Sequence, residues 1–390
     1  MEKIRRAAAW LAIVSFLLFS GARAELSPGA LEEDVPVALG CKSALLMESS
    51  GQIIFALNAD QKRPVASVVK VMTILMCIEA LDSGRVRLED PVSVSKNASG
   101  MGGSQVLLDT GETQPLEVLL KSAIVGSAND AAVAIAEYIY GSQELFVKKM
   151  NERARELGMT DTVFVNCTGL PANGQHTTAR DVARMSAELF GHDLYYRFSG
   201  VWMDEVDHGD GRKTQLTNTN RLIRLYDGCD GGKTGSTNEA GYCLTATAKR
   251  GDMRLIAVVL GGNTGKERFD AAEKMLDYGF ANYRLLNVAE RGAHVKGEMP
   301  VTGGRKESVK LMLDGYLTLL MNKSETADIE LKPRLPGALS APVKAGDPAG
   351  SVEIFRNGRL ISSIPVVTVD DVPRQRFSDA WRRTWGRWLF

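Results

Sequence analysis

Strand-like segments near both ends of one stretch of chain, with only helix between them, constrain the fold most. Ser43 to Met47 and Ile53 to Leu57 are short apolar runs parted by Ser49-Ser50-Gly51, the pattern of a β-hairpin. The next strand-like runs lie far downstream: Gly241 to Ala248 and Met253 to Leu260, joined by Arg250-Gly251-Asp252. Between them apolar residues recur at helical spacing. Val68 to Leu81 is one such segment, ending at Ser83-Gly84. Leu116 to Ile124 is opened by Pro115, Ala131 to Tyr140 is closed by Gly141, and Ser142 to Leu157 is followed by Gly158. Thr178-Ala179-Arg180-Asp181 has the form of a capping box that starts a fifth helix, and Glu267 to Tyr283 returns to helix. This order predicts an α/β (α+β) fold: one antiparallel sheet assembled from both chain ends, with helices around it.

After Leu286 the pattern changes. Val309 to Leu313, Tyr316 to Leu320, Ile329 to Leu331, Val352 to Phe355 and Leu360 to Val366 are short runs separated by turn residues. Asn357-Gly358 between the last two is a strong hairpin signal. A small all-β C-terminal domain is expected.

The chain ends have a different character. Lys3, Arg5 and Arg6, the apolar run Ala7 to Phe19 and Ala22-Arg23-Ala24 form the three-part pattern of a secretory signal peptide. At 100° per residue, Phe377, Trp381, Trp385, Trp388 and Leu389 fall within an arc of about 120°. Arg382, Arg383 and Arg387 lie outside that arc. Aromatic residues opposite arginines suit a helix lying in the interface of an anionic bilayer. The expected organisation is a signal peptide at 1–24, a main domain at 25–286, an all-β domain at 287–370 and an amphipathic membrane-anchoring tail at 371–390.

Lys+Arg 47 balances Asp+Glu 47, which gives no reason to expect nucleic acid as a partner. The cysteines at 41, 77, 167, 229 and 243 include no C-x-x-C, and Cys77 and Cys243 sit inside apolar patterns. They read as buried thiols rather than disulfides. His176, His192, His208 and His294 lack close ligand spacing, so no metal and no cofactor is expected.

Chemistry concentrates in Ser67-Val68-Val69-Lys70, Ser127-Ala128-Asn129 and Lys233-Thr234-Gly235. Each alone is a weak signal; their placement carries the weight. Ser67 stands at a helix start, Ser127 in a break between helices, and Lys233 at the opening of a strand expected to pair with 241–248. Ser67 and Lys70, three residues apart, project on one helix face. A serine hydroxyl needs a base to become a nucleophile. A lysine serves only when partly neutral, a condition favoured by burial and by a second cation nearby. Lys233 is a candidate for that cation, with Ser127 relaying protons between the two. Asn129 offers an amide to a substrate peptide group, and Lys233 and Thr234 suit an anionic carboxylate. The backbone N–H groups of Ser67 and Ser236 are candidate oxyanion donors.

This motif set resembles the low-molecular-weight penicillin-binding D-alanyl-D-alanine carboxypeptidases. The resemblance covers nearly all of the chain after the signal segment. It runs through Arg63 to Thr73, Ser127 to Ala131, Asp230 to Tyr242, and Asn166-Cys167-Thr168-Gly169-Leu170 followed by His176 to Asp181. It implies a β-lactamase/DD-peptidase-like domain with a helical subdomain. The implied catalytic residues are Ser67, Lys70 and Ser127; Asn129, Lys233, Thr234, Gly235 and Ser236 would bind substrate. The implied activity is removal of the terminal D-alanine from peptidoglycan stem peptides ending in D-Ala-D-Ala, through a Ser67 acyl-enzyme. β-Lactam antibiotics would be covalent inhibitors. The implied location is the outer face of the cytoplasmic membrane, with peripheral attachment through the tail to an anionic membrane surface.

Departures are visible. Position 128 is Ala where Gly is common. Position 236 is Ser where His is frequent, so an altered rate or preference is expected. Position 167 is Cys where Pro is usual, which is expected to loosen that loop. His176, Asp130 and Asp181 read as structural residues, Asp181 as the helix-start partner of Thr178. Ser104 and Thr237 are candidates for lining the cleft. The same scaffold would also support DD-endopeptidation or transpeptidation, which differ only in the acyl acceptor. A β-lactamase is disfavoured because no E-x-x-L-N segment follows the second motif and the β domain is present. A penicillin-binding protein without catalysis is disfavoured by the intact motifs.

Overall fold

The computed structural model describes residues 38–376. The expected signal peptide and the stretch Phe377 to Phe390 lie outside those residues. The main sheet is five-stranded and antiparallel, in the order Ile53–Leu57, Ser43–Glu48, Met253–Gly262, Gly241–Arg250, Cys229–Thr237. Both chain ends thus contribute to one sheet, as the strand pattern predicts.

Its central strands read as continuous apolar runs because both faces are buried. Leu45, Met47, Ile256, Val258 and Leu260 pack on the side of the helical subdomain. Ala44, Leu46, Leu255, Ala257 and Val259 face the helix Gly265–Asn282. The helix Lys70–Asp82 lies at the centre of the helical side and is buried almost all round. Helices Leu116–Val125, Asn129–Tyr140, Gln143–Glu156 and Ala179–Leu189 surround it. Local signals behave as expected: Gly141 takes a left-handed φ of 82° at the end of its helix. The Ser142 and Thr178 hydroxyls accept the N–H groups of Leu145 and Asp181, each cap contributing about 1 kcal/mol.

The capping box at 178–181 is only half formed. Asp181 Oδ2 accepts from the Asp161 N–H and the Thr162 hydroxyl, and Oδ1 from Arg184. Its carboxylate therefore ties the 160–162 turn to the helix.

The C-terminal part is all-β. A six-stranded sheet runs Ile329–Arg334, Pro348–Arg356, Arg359–Thr368, Ser308–Leu313, His294–Thr302, Leu339–Ser340. Asn357 and Gly358, with φ of 51° and 76°, make the expected tight turn. The strand Tyr283–Ala289 runs through the expected boundary at 286 and pairs with Leu317–Asn322. At the other end, Pro373 O accepts from the Arg305 N–H, the Gln375 N–H bonds Gly303 O, and Arg374 Nε bonds Ala341 O. The chain therefore stays with this sheet beyond position 370. Gln52, in the first hairpin's turn, bonds the second unit through Leu320 N–H and Thr318 O.

Candidate active site

The turn that carries Ser67 is tighter than the helix expected from Val68. Ala66–Val69 is a 3₁₀ turn, and Ala66 sits at a φ of +49°, a strained region for a residue with a Cβ. Ser67 remains partly exposed, whereas Lys70 in the next turn has no exposed surface. Lys70 Nζ lies 3.1 Å from Ser67 Oγ, 2.5 Å from Asn129 Oδ1 and 2.7 Å from Thr168 O. The Asn129 and Thr168 oxygens only accept. They take two N–H groups, and the third position on nitrogen faces the serine. Burial lowers the Lys70 amine to about 7, opposed by Cys167 and Asp130. A neutral amine with those two N–H groups committed would direct its lone pair at the Ser67 hydroxyl.

Ser127 occupies the break before Asn129–Tyr140 at a φ of +61°. Lys233 Nζ donates to Ser127 Oγ at 2.7 Å and to Thr234 O at 3.0 Å. Burial, then the charge of Lys70, then Arg268 depress the Lys233 amine well below its ordinary value. Burial is the largest cause for both lysines, and the repulsion between them disfavours having both charged at once.

Asn129 has contacts of its own besides the expected substrate amide. Its Oδ1 takes Lys70 and its Nδ2 donates to Gly102 O at 2.6 Å, with 2% of the residue exposed. The side chain orients the lysine and pins the 102–104 turn, using one N–H and one lone pair of the amide. Asp130 is structural, accepting the N–H groups of Val106, Leu108 and Ala131.

The third motif lies in mid-strand rather than opening one. Cys229–Thr237 begins four residues earlier and pairs Lys233 with Thr245 and Gly235 with Cys243. It forms one edge of the sheet, packed against the turn that carries Ser67. A Cβ on Gly235 would lie 2.6 Å from Val65 O and 2.8 Å from Ser67 N, so only glycine allows this approach. Thr234 Oγ1 donates to Thr219 Oγ1 at 2.7 Å, and Ser236 is exposed beside it. Thr237 turns inward to accept the Ala240 N–H.

Arg268 carries no motif and was missed. Its Nη1 donates to Gly235 O at 3.2 Å, and its guanidinium stacks on Tyr242 and Phe269. Its Nε is buried without a hydrogen-bond partner. A strand-edge cation near the lysines could have been sought only on the helix that crosses behind the sheet.

The loop below the turn is firmly held. Asn166 Oδ1 accepts the N–H groups of Thr168 and Gly169, and Thr73 Oγ1 donates to Cys167 O. Gly169, at a φ of +83°, lies so close to Ala66 O that no Cβ fits. Cys167 is fully buried, and burial pushes its thiol up to about 12. The expected loosening at position 167 is not seen in these contacts. The His176 ring bonds Gly174 O within its own loop. All five cysteines are unpaired. Glu79, Glu188 and His192 approach one another, but Arg153 sits 2.7 Å from Glu79 and 3.1 Å from Glu188. A cation thus already occupies the space between the two carboxylates. Among the described residues no helix is long and apolar enough to cross a membrane.

A partly exposed serine beside a buried lysine, on this fold, is the arrangement of a serine-type carboxypeptidase. The D-alanyl-D-alanine carboxypeptidase family matches residues 30–264, and the penicillin-binding protein 5 C-terminal domain matches residues 283–374. The chain is 39% identical over 349 residues to the D-alanyl-D-alanine carboxypeptidase DacF of Bacillus subtilis, covering 89% of this chain and 90% of that protein. It is 34% identical over 364 residues to DacD of Escherichia coli, covering 89% and 92%. Penicillin binding protein 5 from Haemophilus influenzae superposes with a TM-score of 0.74 at 31% identity, covering 88% of this chain and all of that one. The chain belongs to the D-alanyl-D-alanine carboxypeptidase family.

Proposed function

We propose that this protein removes the terminal D-alanine from peptidoglycan stem peptides through an acyl-enzyme on Ser67. The observation that carries this reading is the buried Lys70 amine 3.1 Å from Ser67 Oγ, with its two N–H groups committed to Asn129 and Thr168. Lys70 takes the serine proton as Oγ attacks the carbonyl of the penultimate D-alanine. The N–H groups of Ser67 and Ser236 receive the developing oxyanion. Ser127, held by Lys233, passes its proton to the leaving nitrogen and takes one in turn from the protonated Lys70, which returns Lys70 to its neutral form. Lys233, Thr234 and Arg268 provide the positive, hydroxyl-lined end of the site that suits the terminal carboxylate. Water then hydrolyses the ester, with Lys70 again as base.

A β-lactam amide placed in the same site would acylate Ser67 in the same way. The expected signal peptide and tail support an exported enzyme held at the outer face of the cytoplasmic membrane. The test is incubation with a pentapeptide ending in D-Ala-D-Ala. Release of free D-alanine by the wild type and not by Ser67→Ala is expected. Release at the same rate by both proteins would remove the proposal.

A further inference from the structure

Glu112 and His208 form a buried carboxylate–imidazole pair that the chemistry above does not use. The His208 side chain has no exposure and that of Glu112 has 7%. His208 Nδ1 lies 2.8 Å from Glu112 Oε1, and Nε2 lies 3.0 Å from Thr214 Oγ1. A carboxylate only accepts, so Nδ1 carries the proton. Gln114 Nε2 also donates to Glu112 Oε1, and the Asp109 N–H donates to Oε2. The pair joins two elements that are distant in sequence. His208 is at the tip of the hairpin formed by Met203–Asp207 and Lys213–Thr217. Glu112 ends the segment that begins at Gly102.

That segment reaches the site at its other end. Gly102 O accepts from Asn129 Nδ2, Ser104 O accepts the Asn129 N–H at 2.7 Å, and the N–H groups of Val106 and Leu108 bond Asp130. Leu107 is held at a φ of +62° with 59% of its surface exposed, so local preference does not keep this segment in place. Other charges face the clasp. Arg212 contacts Asp109 at 2.5 Å, Glu112 at 3.6 Å and Asp210 at 2.7 Å. Lys213 pairs with Glu205 along the hairpin, and Lys121 with Asp204 at its base.

We propose that Glu112 and His208 are positioning residues for the acylation step: they clasp the 203–217 hairpin to the 102–112 segment, and that segment holds Asn129 in the orientation that directs the Lys70 amine at Ser67. This rests on the function proposed above, so acylation of Ser67 in the wild type by labelled penicillin is the control for that reading. Failure of the control counts against the function, whereas amide exchange reports on the clasp independently.

The experiment measures acylation rate and amide hydrogen exchange in the full chain. Glu112→Ala is expected to acylate about tenfold more slowly, since small misplacements of reacting groups cost that much or more. Amides in 102–109 should exchange faster in the same variant. Glu112→Gln keeps an acceptor for His208 and should recover most of the rate. Glu205→Ala, which breaks an exposed pair on the same hairpin, should acylate like the wild type. Should Glu112→Ala not fold, Thr214→Val removes the Nε2 partner of His208 and should slow acylation in the same direction. The proposal is overturned if Glu112→Ala, or Thr214→Val in its place, acylates at the wild-type rate. It is equally overturned if the rate falls without faster exchange in 102–109, or if Glu112→Gln is as slow as Glu112→Ala.

Discussion

Lys233 Nζ donates to Ser127 Oγ over 2.7 Å, although 106 residues separate them. With its oxygen already accepting from the ammonium or amine, the serine hydroxyl is left to donate its own proton outward. The contact joins the motif strand to the break between two helices and sets the direction of proton flow in the proposed mechanism.

Ser127→Ala should therefore lower the rate of acylation by labelled penicillin about a hundredfold or more, the usual range for loss of a positioned proton-transfer group. The fold should survive, because among the described residues the hydroxyl's hydrogen-bond partner is Lys233 and no backbone group depends on it. Rapid-quench acylation with a parallel thermal melt checks both halves.

The Lys70 amine is held at about 7 by burial. The reactive form is neutral, so activity is lost as pH falls and the amine gains its proton. The acylation rate constant should drop about tenfold for each pH unit well below 7 and level off above it. Lys70→Arg keeps a cation but supplies no neutral base, because guanidinium stays protonated. It should be inactive across the whole range. A pH–rate profile of both proteins, taken where circular dichroism shows them folded, makes the comparison; a flat wild-type profile from pH 5 to 8 would contradict the base assignment.

Gly235→Ala places a methyl 2.6 Å from Val65 O and 2.8 Å from Ser67 N. Because both neighbours are backbone atoms, the motif strand and the Ser67 turn must separate. Acylation should fall by more than about tenfold, with a loss of stability on the order of 1–3 kcal/mol. Denaturant unfolding alongside labelling distinguishes a damaged site from a merely unfolded chain.

Much of this site was legible because its motifs sit at helix and strand boundaries that glycine, proline and capping residues announce. Those boundaries single out Ser67, Lys70, Ser127 and Lys233, and the structure pairs Lys70 with Ser67 and Lys233 with Ser127. What escaped depends on tertiary contact. The strand Cys229–Thr237 starts among Asp230-Gly231-Gly232, a composition that reads as a turn. In the structure Tyr195 OH bridges the Gly232 N–H and carbonyl from a helix. The hairpin Met203–Asp207 with Lys213–Thr217 is mostly charged and polar, without the apolar alternation that marks a strand. Arg268 lies on a helix whose other features concern packing. The Asn129 side chain bonds Lys70 and Gly102, contacts which no spacing rule shows.

Where a truncation falls decides what it says about the expected membrane-anchoring tail. Residues 373–375 bond Gly303, Arg305 and Ala341 of the β sheet. A protein ended near Val372 would lose those bonds, whereas one ended after Arg376 keeps them. The latter should remain active on soluble peptides and lose binding to anionic vesicles; co-sedimentation against the full mature chain measures this, and equal binding by both would rule the tail out as the anchor.

The central claim is that Ser67 carries the acyl group. Its most direct test is peptide mass mapping after reaction with labelled penicillin, with wild type and Ser67→Ala side by side. The account predicts stoichiometric label on the peptide containing Ser67 in the wild type and none in the variant. Label on any other residue, or an equally labelled Ser67→Ala protein, would contradict it.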